Sequence, residues 1–271
     1  MDARLARIIF CPDCQCELAG ATDHLQCTNC TRIFRIESGV PIFRDGPVQT
    51  IPPEHRSNAL GAEFEELLRD GSDLILHIGA GATSRKYPNC VELEYNVFAN
   101  TDVVGDAHAL PFRDGIFDRV FAFNVFEHLA QPAKAAAEIW RVLKPAGAVT
   151  VHSAFLQPLH EAPHHFFNAT EFGLREWFDQ FEIEQCRVSG NFGPGMMLGF
   201  LLSGIMSAVA QSDVSKEALA AISDSKIGEW AGFWAGTQPP PPAFGVLQSL
   251  PQSAQAKVAA GFELIGRKRP K

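Results

Sequence analysis

Residues 73–95 of this chain read "DLILHIGAGATSRKYPNCVELEY". The mainly apolar run at 74–78 predicts a buried strand. Gly79 and Gly81 follow it directly and predict a tight turn, because glycine lets the backbone bend sharply and approach a ligand closely. The second apolar run predicts another strand, which ends at Glu94.

Strands and helices continue to alternate beyond this segment. Further strands are predicted within 103–112, 117–129 and 138–153. The alternation predicts a doubly wound α/β sheet with mainly parallel strands, and ligands bind such sheets at the carboxyl ends of the strands. Glu94, Asp106 and Asn124 all fall at predicted strand ends.

The motifs of this region, taken in order, resemble those of the class I S-adenosylmethionine-dependent methyltransferases. They read "GDAHALPF" at 105–112, "FDRV" at 117–120, "EHL" at 127–129 and "RVLKPAG" at 141–147. The resemblance covers about residues 73–190. It implies a seven-stranded Rossmann-like sheet that binds S-adenosylmethionine.

The same resemblance implies which residues hold the cofactor. Gly79 and Gly81 would let the backbone pass its methionine part, and Glu94 would accept hydrogen bonds from the two ribose hydroxyls. Asp106 and a backbone amide would read the adenine edge, and Asn124 would close the pocket near the sulfonium. The full predicted set is His77, Gly79, Gly81, Glu94, Asp106, Ala107 and Asn124.

Two positions of the turn depart from the family pattern. His77 stands where an acidic residue is usual, so the charge attraction to the cofactor's ammonium group is lost. Thr83 replaces the third glycine. These departures favour an alternative hypothesis, a degenerate methyltransferase fold that serves as a regulatory or binding scaffold. A dinucleotide-dependent enzyme is a weaker third hypothesis, since the "LPF" and "RVLKP" motifs have no role in it.

Five of the seven cysteines lie within residues 11–30. Four of them form two C-x2-C pairs separated by twelve residues: Cys11, Cys14, Cys27 and Cys30. This spacing is typical of zinc sites, and four thiolates leave no open coordination position, so the zinc would be structural. Cys16 is too close to Cys14 to suit a second ligand position and is left out of the predicted site.

Residues 8–45 resemble the zinc-ribbon proteins that accompany or activate methyltransferases, whose pattern ends in an apolar "GIP", here "GVP" at 39–41. The predicted organisation is a zinc ribbon in 1–46, a proline-broken linker in 47–55 and a methyltransferase domain in 56–271. The ribbon carries five arginines and six acidic residues. It therefore lacks the basic face of a nucleic-acid reader, and we expect it to stabilise the protein or dock a protein partner.

Histidines are the candidate general bases, because their pKa suits proton removal near neutrality. His128 follows the fourth strand. His160 lies in the loop after the fifth strand, together with His164 and His165. His128 and His160 are the two candidates, and a packed or solvated histidine is the plain alternative for each.

The C-terminal part predicts the last two strands, at 181–189 and 261–268, and a helical insertion at about 190–258 that covers the active site. The apolar segment 195–210 could instead lie on a membrane. This alternative is disfavoured because no lysine or arginine occurs from 191 to 215 to hold an anionic surface.

Composition narrows the classes of function. Hydrophobic residues make up 46% and charged residues 20% of the chain, and the net charge of −8 gives no general attraction to nucleic acid. The first residues show no secretory signal, so a cytoplasmic location is expected. The predicted function is methyl transfer from S-adenosylmethionine to an oxygen or nitrogen of a small metabolite or glycan.

Overall fold

The computed structural model describes residues 4–20, 22–55, 57, 60–263 and 267. The chain divides into two compact units. The first is Met1–Phe155 with Phe166–Arg187, and the second is Leu156–His165 with Val188–Lys271. Both sheets of the described residues lie in the first unit, and the helices beyond residue 190 lie in the second.

The first sheet is small and antiparallel. A helical turn, α1 (Leu5–Ile8), precedes its four strands, which are β1 (Leu18–Gly20), β2 (His24–Cys27), β3 (Ile33–Glu37) and β4 (Val40–Pro41). They pair in the order β1-β2-β3-β4. Leu25 and Phe34 are buried, and the ring of Phe34 lies 4.8 Å from that of Phe43, so the sheet has a core of only a few side chains.

The second sheet has five parallel strands, which confirms the predicted α/β architecture with a parallel sheet. The strands are β5 (Ile75–Ile78), β6 (Cys90–Glu94), β7 (Val103–Val104), β8 (Phe117–Phe123) and β9 (Leu143–His152), in the order β7-β6-β5-β8-β9. The chain runs outward from β5 in one direction and returns to place β8 on its other side. The switch point of the sheet therefore lies next to the end of β5, where the glycine turn begins.

Helices cover both faces of this sheet. Phe64 of α2 (Ala62–Asp70) packs on one face, with ring centroids 5.3 Å from Phe121 and 4.7 Å from Phe123. On the other face, α3 (Pro132–Val142) buries Ala135 and Ile139 completely. Because both faces are covered, every residue of β5 and β6 is buried, including the polar His77, Glu92 and Glu94.

Five strands are fewer than the seven that the resemblance implies. The segment 181–189, predicted as a strand, pairs with no strand among the described residues. Its alternation of apolar and polar residues suits any extended segment, and only a neighbouring strand would make it part of the sheet. Half of the partner predicted for it, 261–268, lies outside the described residues. Helix α4 (Glu171–Trp177) precedes this segment.

The small sheet pairs with the edge of the parallel sheet. Ile42 forms a parallel bridge with Val104 of β7, and the Phe43 N–H donates to the Val104 carbonyl at 2.7 Å. Thr50, which falls in the predicted linker, bridges Val97 in the same way. The residues after β4 therefore run along the β7 edge.

The second unit is helical in its described residues. Its helices are α5 (Pro194–Ala210), α6 (Lys216–Ser223), α7 (Ile227–Trp234), α8 (Ala243–Gln248) and α9 (Gln252–Val258). Ala208, Val209 and Leu250 are buried in their common core. Within the ranges that the structure describes, no helix is both long and apolar enough to cross a membrane.

Candidate functional site

The four cysteines of the two C-x2-C pairs converge. Cys11 and Cys14 come from the loop before β1, and Cys27 and Cys30 come from the end of β2 and the turn after it. Their four Sγ atoms all lie within 4.8 Å of one another. Sulfur ligands on a tetrahedral zinc lie about 3.8 Å apart, since each Zn–S bond is about 2.3 Å. The donor set and its spacing fit a structural zinc ion.

The remaining contacts of this cluster agree with that assignment of ligands. The Sγ of Cys11 lies 3.6 Å from that of Cys30, and the Sγ of Cys14 lies 3.4 Å from that of Cys27. The N–H groups of Asn29 and Cys30 donate to the Cys27 sulfur, each at 3.4 Å. The Cys16 thiol instead donates to the Cys14 carbonyl at 3.4 Å.

The glycine turn begins where β5 ends. Gly79 and Gly81 have φ values of +65° and +68°, a conformation that favours glycine. A Cβ built on Gly79 would also collide with the side chain of Val125, so this position has no room for a side chain. The Gly79 N–H donates to the Leu93 carbonyl at 2.9 Å, which ties the turn to β6.

Glu94 closes the turn from the end of β6. Its carboxylate accepts a hydrogen bond from the Gly81 N–H, and its side chain is almost fully buried. Burial raises the pKa of Glu94 to about 7, against the opposing effect of the backbone hydrogen bonds. A carboxylate held in this way can accept hydrogen bonds from the hydroxyl groups of a ligand.

His77 lies one residue before the end of β5 and carries no charge at neutral pH. Its ring is 3% exposed and packs edge-on against Phe121 and Phe123, at centroid distances of 6.2 and 5.7 Å. This burial lowers the pKa of His77 to about 4. The side chain cannot supply the negative charge that the family pattern has at this position.

Asp106 follows β7 and is held by a histidine. Its Oδ1 accepts hydrogen bonds from His108 Nδ1 at 2.5 Å and from the His108 N–H at 2.9 Å. The Gln131 N–H donates to His108 Nε2 at 3.2 Å, which places the imidazole proton on Nδ1. The bond from His108 holds the pKa of Asp106 below its usual value, so the carboxylate stays ionised. Ala107, beside it, is buried.

Asn124 directly follows β8 and has a left-handed conformation, with φ of +56°. Its N–H donates to the His152 carbonyl at 2.9 Å. Its Oδ1 is buried, and no donor within the described ranges contacts it. Val125, the next residue, packs against Gly79, so the β8 end and the glycine turn are neighbours. An orphaned acceptor at this position can receive a hydrogen bond from a ligand.

The two candidate bases belong to different units. His128 ends a short 3₁₀ helix, Phe126–His128, in the first unit, and its N–H donates to the Val125 carbonyl at 2.9 Å. His160 lies in the second unit, where its Nδ1 is 3.0 Å from the Pro158 carbonyl. A carbonyl only accepts, so the proton lies on Nδ1 and Nε2 is the basic nitrogen. The His165 ring lies 4.2 Å from that of His160.

Sequence reasoning missed a second buried carboxylate. Glu92 lies two residues before Glu94 on β6, its side chain is 2% exposed, and it accepts hydrogen bonds from Thr83. The spacing of Glu92 and Glu94 was the available signal, because residues i and i+2 of a strand face the same side of the sheet.

Comparison with known proteins finds that part of this chain is similar to methyltransferases. Residues 82–151 match the family model described as "Methyltransferase domain". An uncharacterised methyltransferase of Mycolicibacterium gilvum is 36% identical over 80 residues, which are 29% of this chain and 28% of the relative. The demethylmenaquinone methyltransferase of Renibacterium salmoninarum is 45% identical over 49 residues, which are 18% of this chain and 21% of the relative. The chain thus spans less than a third of the length of these relatives.

A solved structure of a SAM-dependent methyltransferase from Aquifex aeolicus is similar over 46% of this chain and 81% of that one. The sequence identity is 16% and the TM-score is 0.33. The match to the family model is confined to residues 82–151.

Proposed function

We propose that this chain is an S-adenosylmethionine-dependent methyltransferase that acts on an oxygen or nitrogen atom of a small molecule or a glycan. The observation that carries the proposal is the buried carboxylate of Glu94 at the end of β6, bonded to the Gly81 N–H. It stands beside a turn in which Gly79 and Gly81 both have positive φ. The match of 82–151 to methyltransferase domains supports the same conclusion.

The residues at the strand ends fit the cofactor, which supplies the reactive methyl group on its sulfonium when bound. Glu94 accepts hydrogen bonds from the ribose hydroxyls, and this interaction favours the ionised carboxylate. Asp106 and the Ala107 amide bind the adenine edge. Asn124 Oδ1 lacks a donor in the described part of the chain, and a polar ligand there relieves the cost of a buried unpaired acceptor.

His77 shapes the pocket without adding charge. Its neutral ring beside the glycine turn leaves the cofactor's ammonium group without an ionic partner at this position. We therefore expect the cofactor to be held mainly by hydrogen bonds and by the fit of the glycine turn.

Proton removal from the acceptor is assigned to His128 or His160. In His160, the proton on Nδ1 leaves Nε2 as the basic nitrogen. An amine acceptor that is already neutral needs no base, and then either histidine only orients the acceptor.

We further propose that Cys11, Cys14, Cys27 and Cys30 hold a structural zinc ion. The zinc ribbon comprises residues 1–46, the linker 47–55 and the methyltransferase domain 56–271, with the helical insertion at about 190–258. Zinc-bound thiolates stabilise the small sheet, and that sheet pairs with β7 through Ile42 and Phe43. The ribbon's outer surface remains available to a protein partner.

The second candidate function is a regulatory scaffold that has lost cofactor binding. The neutral His77 and the threonine at position 83 favour it, because both weaken the usual recognition of the cofactor. Cofactor affinity separates the two functions directly.

The test is calorimetric titration of the zinc-loaded protein with S-adenosylmethionine and with S-adenosylhomocysteine. We expect micromolar binding of both, and a loss of about a hundredfold in affinity for Glu94→Ala, since hydrogen bonds to a charged group are strong. Glu65→Ala is the matched control, because Glu65 is a carboxylate on the surface of α2 that pairs only with Arg69 among described residues.

A folded protein that binds neither ligand would overturn the enzyme and leave the scaffold. Binding that Glu94→Ala and Glu65→Ala reduce equally would remove Glu94 from the cofactor site.

A further inference from the structure

A buried carboxylate next to the cofactor site has no role in the function proposed above. Glu92 is 2% exposed, and its charged form loses most of its hydration there. It lies on the same face of β6 as Glu94, directly across from His77 in the parallel pairing of β5 and β6. A carboxylate buried in a strand at this cost calls for a structural or functional explanation.

The Glu92 side chain holds the end of the glycine turn. Both carboxyl oxygens lie 3.0 Å from Thr83 Oγ1, so the threonine hydroxyl donates to them. The same hydroxyl accepts from Asn100 Nδ2 at 3.0 Å, and this nitrogen also donates to the Thr83 carbonyl at 2.8 Å. Position 83, where the family pattern has a third glycine, is thus fixed from two sides.

The second partner, Asn100, is itself held in place. Lys86 Nζ donates to the Asn100 carbonyl at 2.5 Å and pairs with the Asp102 carboxylate. Asp102 in turn accepts from the Glu92 N–H at 2.8 Å. The turn, the middle of β6 and the loop before β7 therefore form one hydrogen-bonded network.

We propose that Glu92 is a positioning residue for the cofactor, which acts through Thr83 and Asn100 to hold the glycine turn in its binding form. The proposal rests on the proposed function. It also gives Thr83 a role. A glycine at this position would be conformationally free, whereas the threonine hydroxyl ties the turn to Glu92 on β6.

The charges around Glu92 make its action depend on pH. The pKa of Glu92 is raised to about 7, chiefly by burial and also by Asp102 and Glu94, against the lowering effects of Lys86 and of the hydrogen bond from Thr83. The other titratable groups near it, His77 and the Cys90 thiol, are uncharged at this pH. An ionised Glu92 accepts a stronger bond from Thr83. Cofactor affinity then falls as pH drops through about 7, and Glu92 and Glu94 both contribute to the fall.

The experiment measures the affinity for S-adenosylhomocysteine by calorimetry from pH 6 to pH 8. The variants are Thr83→Val, which keeps the shape and removes the hydroxyl, Thr83→Ser, which restores the hydroxyl, Glu92→Gln, and the Thr83→Val/Glu92→Gln double variant. Glu65→Gln is the control for a changed charge. Thermal unfolding of each protein identifies the folded variants, and only those are compared.

We expect Thr83→Val and Glu92→Gln each to weaken binding by about tenfold at pH 8. Thr83→Ser should bind within about twofold of the wild type. The double variant should bind no more weakly than Thr83→Val, because without the hydroxyl at position 83 the change at Glu92 has no bond left to weaken. The fall in affinity from pH 8 to pH 6 should be smaller in Glu92→Gln, because only Glu94 then still takes up a proton in this range.

Unchanged binding in folded Thr83→Val, or additive losses in the double variant, would overturn the proposal and leave the proposed function intact. A wild-type protein that does not bind S-adenosylhomocysteine would overturn both.

Discussion

We expect the two sheets of the first unit to be stabilised by different means. The small antiparallel sheet has strands of two to five residues and buries few large side chains, among them Leu25, Phe34 and Phe43. The parallel sheet buries every residue of β5 and β6 between two layers of helices. Segments of about 40 residues seldom fold on apolar burial alone. We therefore expect the first sheet to depend on its cysteine cluster as well as on the apolar cluster that it shares with the parallel sheet, and the second to depend on its core.

The largest expected effect is the loss of zinc from the small sheet. Structural zinc in such sites contributes about 10 kcal/mol or more to folding. Treatment with a chelator at pH 7, or Cys27→Ser, should therefore make the amides of β1 to β4 exchange rapidly with solvent. The amides of β5, β6 and β8 should stay protected, as hydrogen exchange read by mass spectrometry would show.

Cys16→Ser is the matched control, because the Cys16 thiol donates to the Cys14 carbonyl and a serine hydroxyl can do the same. It should retain one zinc ion per chain. Slow exchange of the β1 to β4 amides after metal removal would show that the small sheet does not depend on a bound metal.

The second effect tests the core of the parallel sheet. Phe117 is fully buried in β8, and its ring lies 5.1 Å from Phe112. Phe117→Ala should lower the free energy of unfolding by about 4 kcal/mol, because it removes a large side chain and leaves a cavity. Urea unfolding followed by fluorescence measures this loss. Phe172→Ala, at an exposed position, should change stability by less than about 0.5 kcal/mol.

The third effect concerns the charge that the parallel sheet buries at its ligand edge. The pKa of Glu94 rises from its ordinary 4.5 to about 7 in the folded protein. Below about pH 4.5, Glu94 is protonated in both the folded and the unfolded chain, so it does not make stability depend on pH. Between about pH 4.5 and 7, the unfolded chain has lost this proton while the folded protein still holds it. The free energy of unfolding therefore falls as pH rises through this range, and it stays reduced above about pH 7.

Glu94→Gln removes this cost, and should raise the free energy of unfolding by about 3 kcal/mol at pH 8 and by nothing at pH 4.5. The same variant should bind S-adenosylhomocysteine poorly. Denaturation at several pH values measures the first effect, with Glu65→Gln as the control that should show no such trend. A gain that is equal at all pH values would indicate relief of a steric contact instead of a charge.

The smallest effect lies in the irregular part of β9, between its pairings at Leu143 and at Ala148. Ala146 has φ of +64°, a conformation in which a side chain is strained. Ala146→Gly should stabilise the protein by about 0.5–1 kcal/mol, whereas Ala148→Gly, in the paired part of β9, should destabilise it by a similar amount. Thermal unfolding of the two variants checks the opposite signs.

The sequence predicted the elements whose signals are local. The strands that become β5, β6 and β8 are short apolar runs bounded by turn residues, and the helix α3 has a clear apolar face. The cysteine spacing predicted the convergence of four sulfurs. Glu94, Asp106 and Asn124 could be placed at strand ends because parallel strands share one carboxyl edge.

Features that depend on pairing between distant residues were not predicted. The segment 181–189 has the alternation of a strand, but it pairs with no strand in the part of the chain that the structure describes. Thr50, assigned to a linker by its prolines, pairs with Val97. The network of Thr83, Glu92 and Asn100 joins three segments, and nothing in the pattern of any one of them indicates the other two.

Ile42, Phe43 and Thr50 pair with the β7 side of the sheet. This pairing matters when a shortened form of the chain is designed. A shortened chain that starts at residue 56 would leave the backbone groups of β7 and the Val97 loop uncovered. An uncovered strand edge next to apolar side chains invites pairing between molecules, and so aggregation. Expression of the parallel-sheet part alone should therefore be avoided, and the N-terminal segment kept, even for experiments that do not concern zinc.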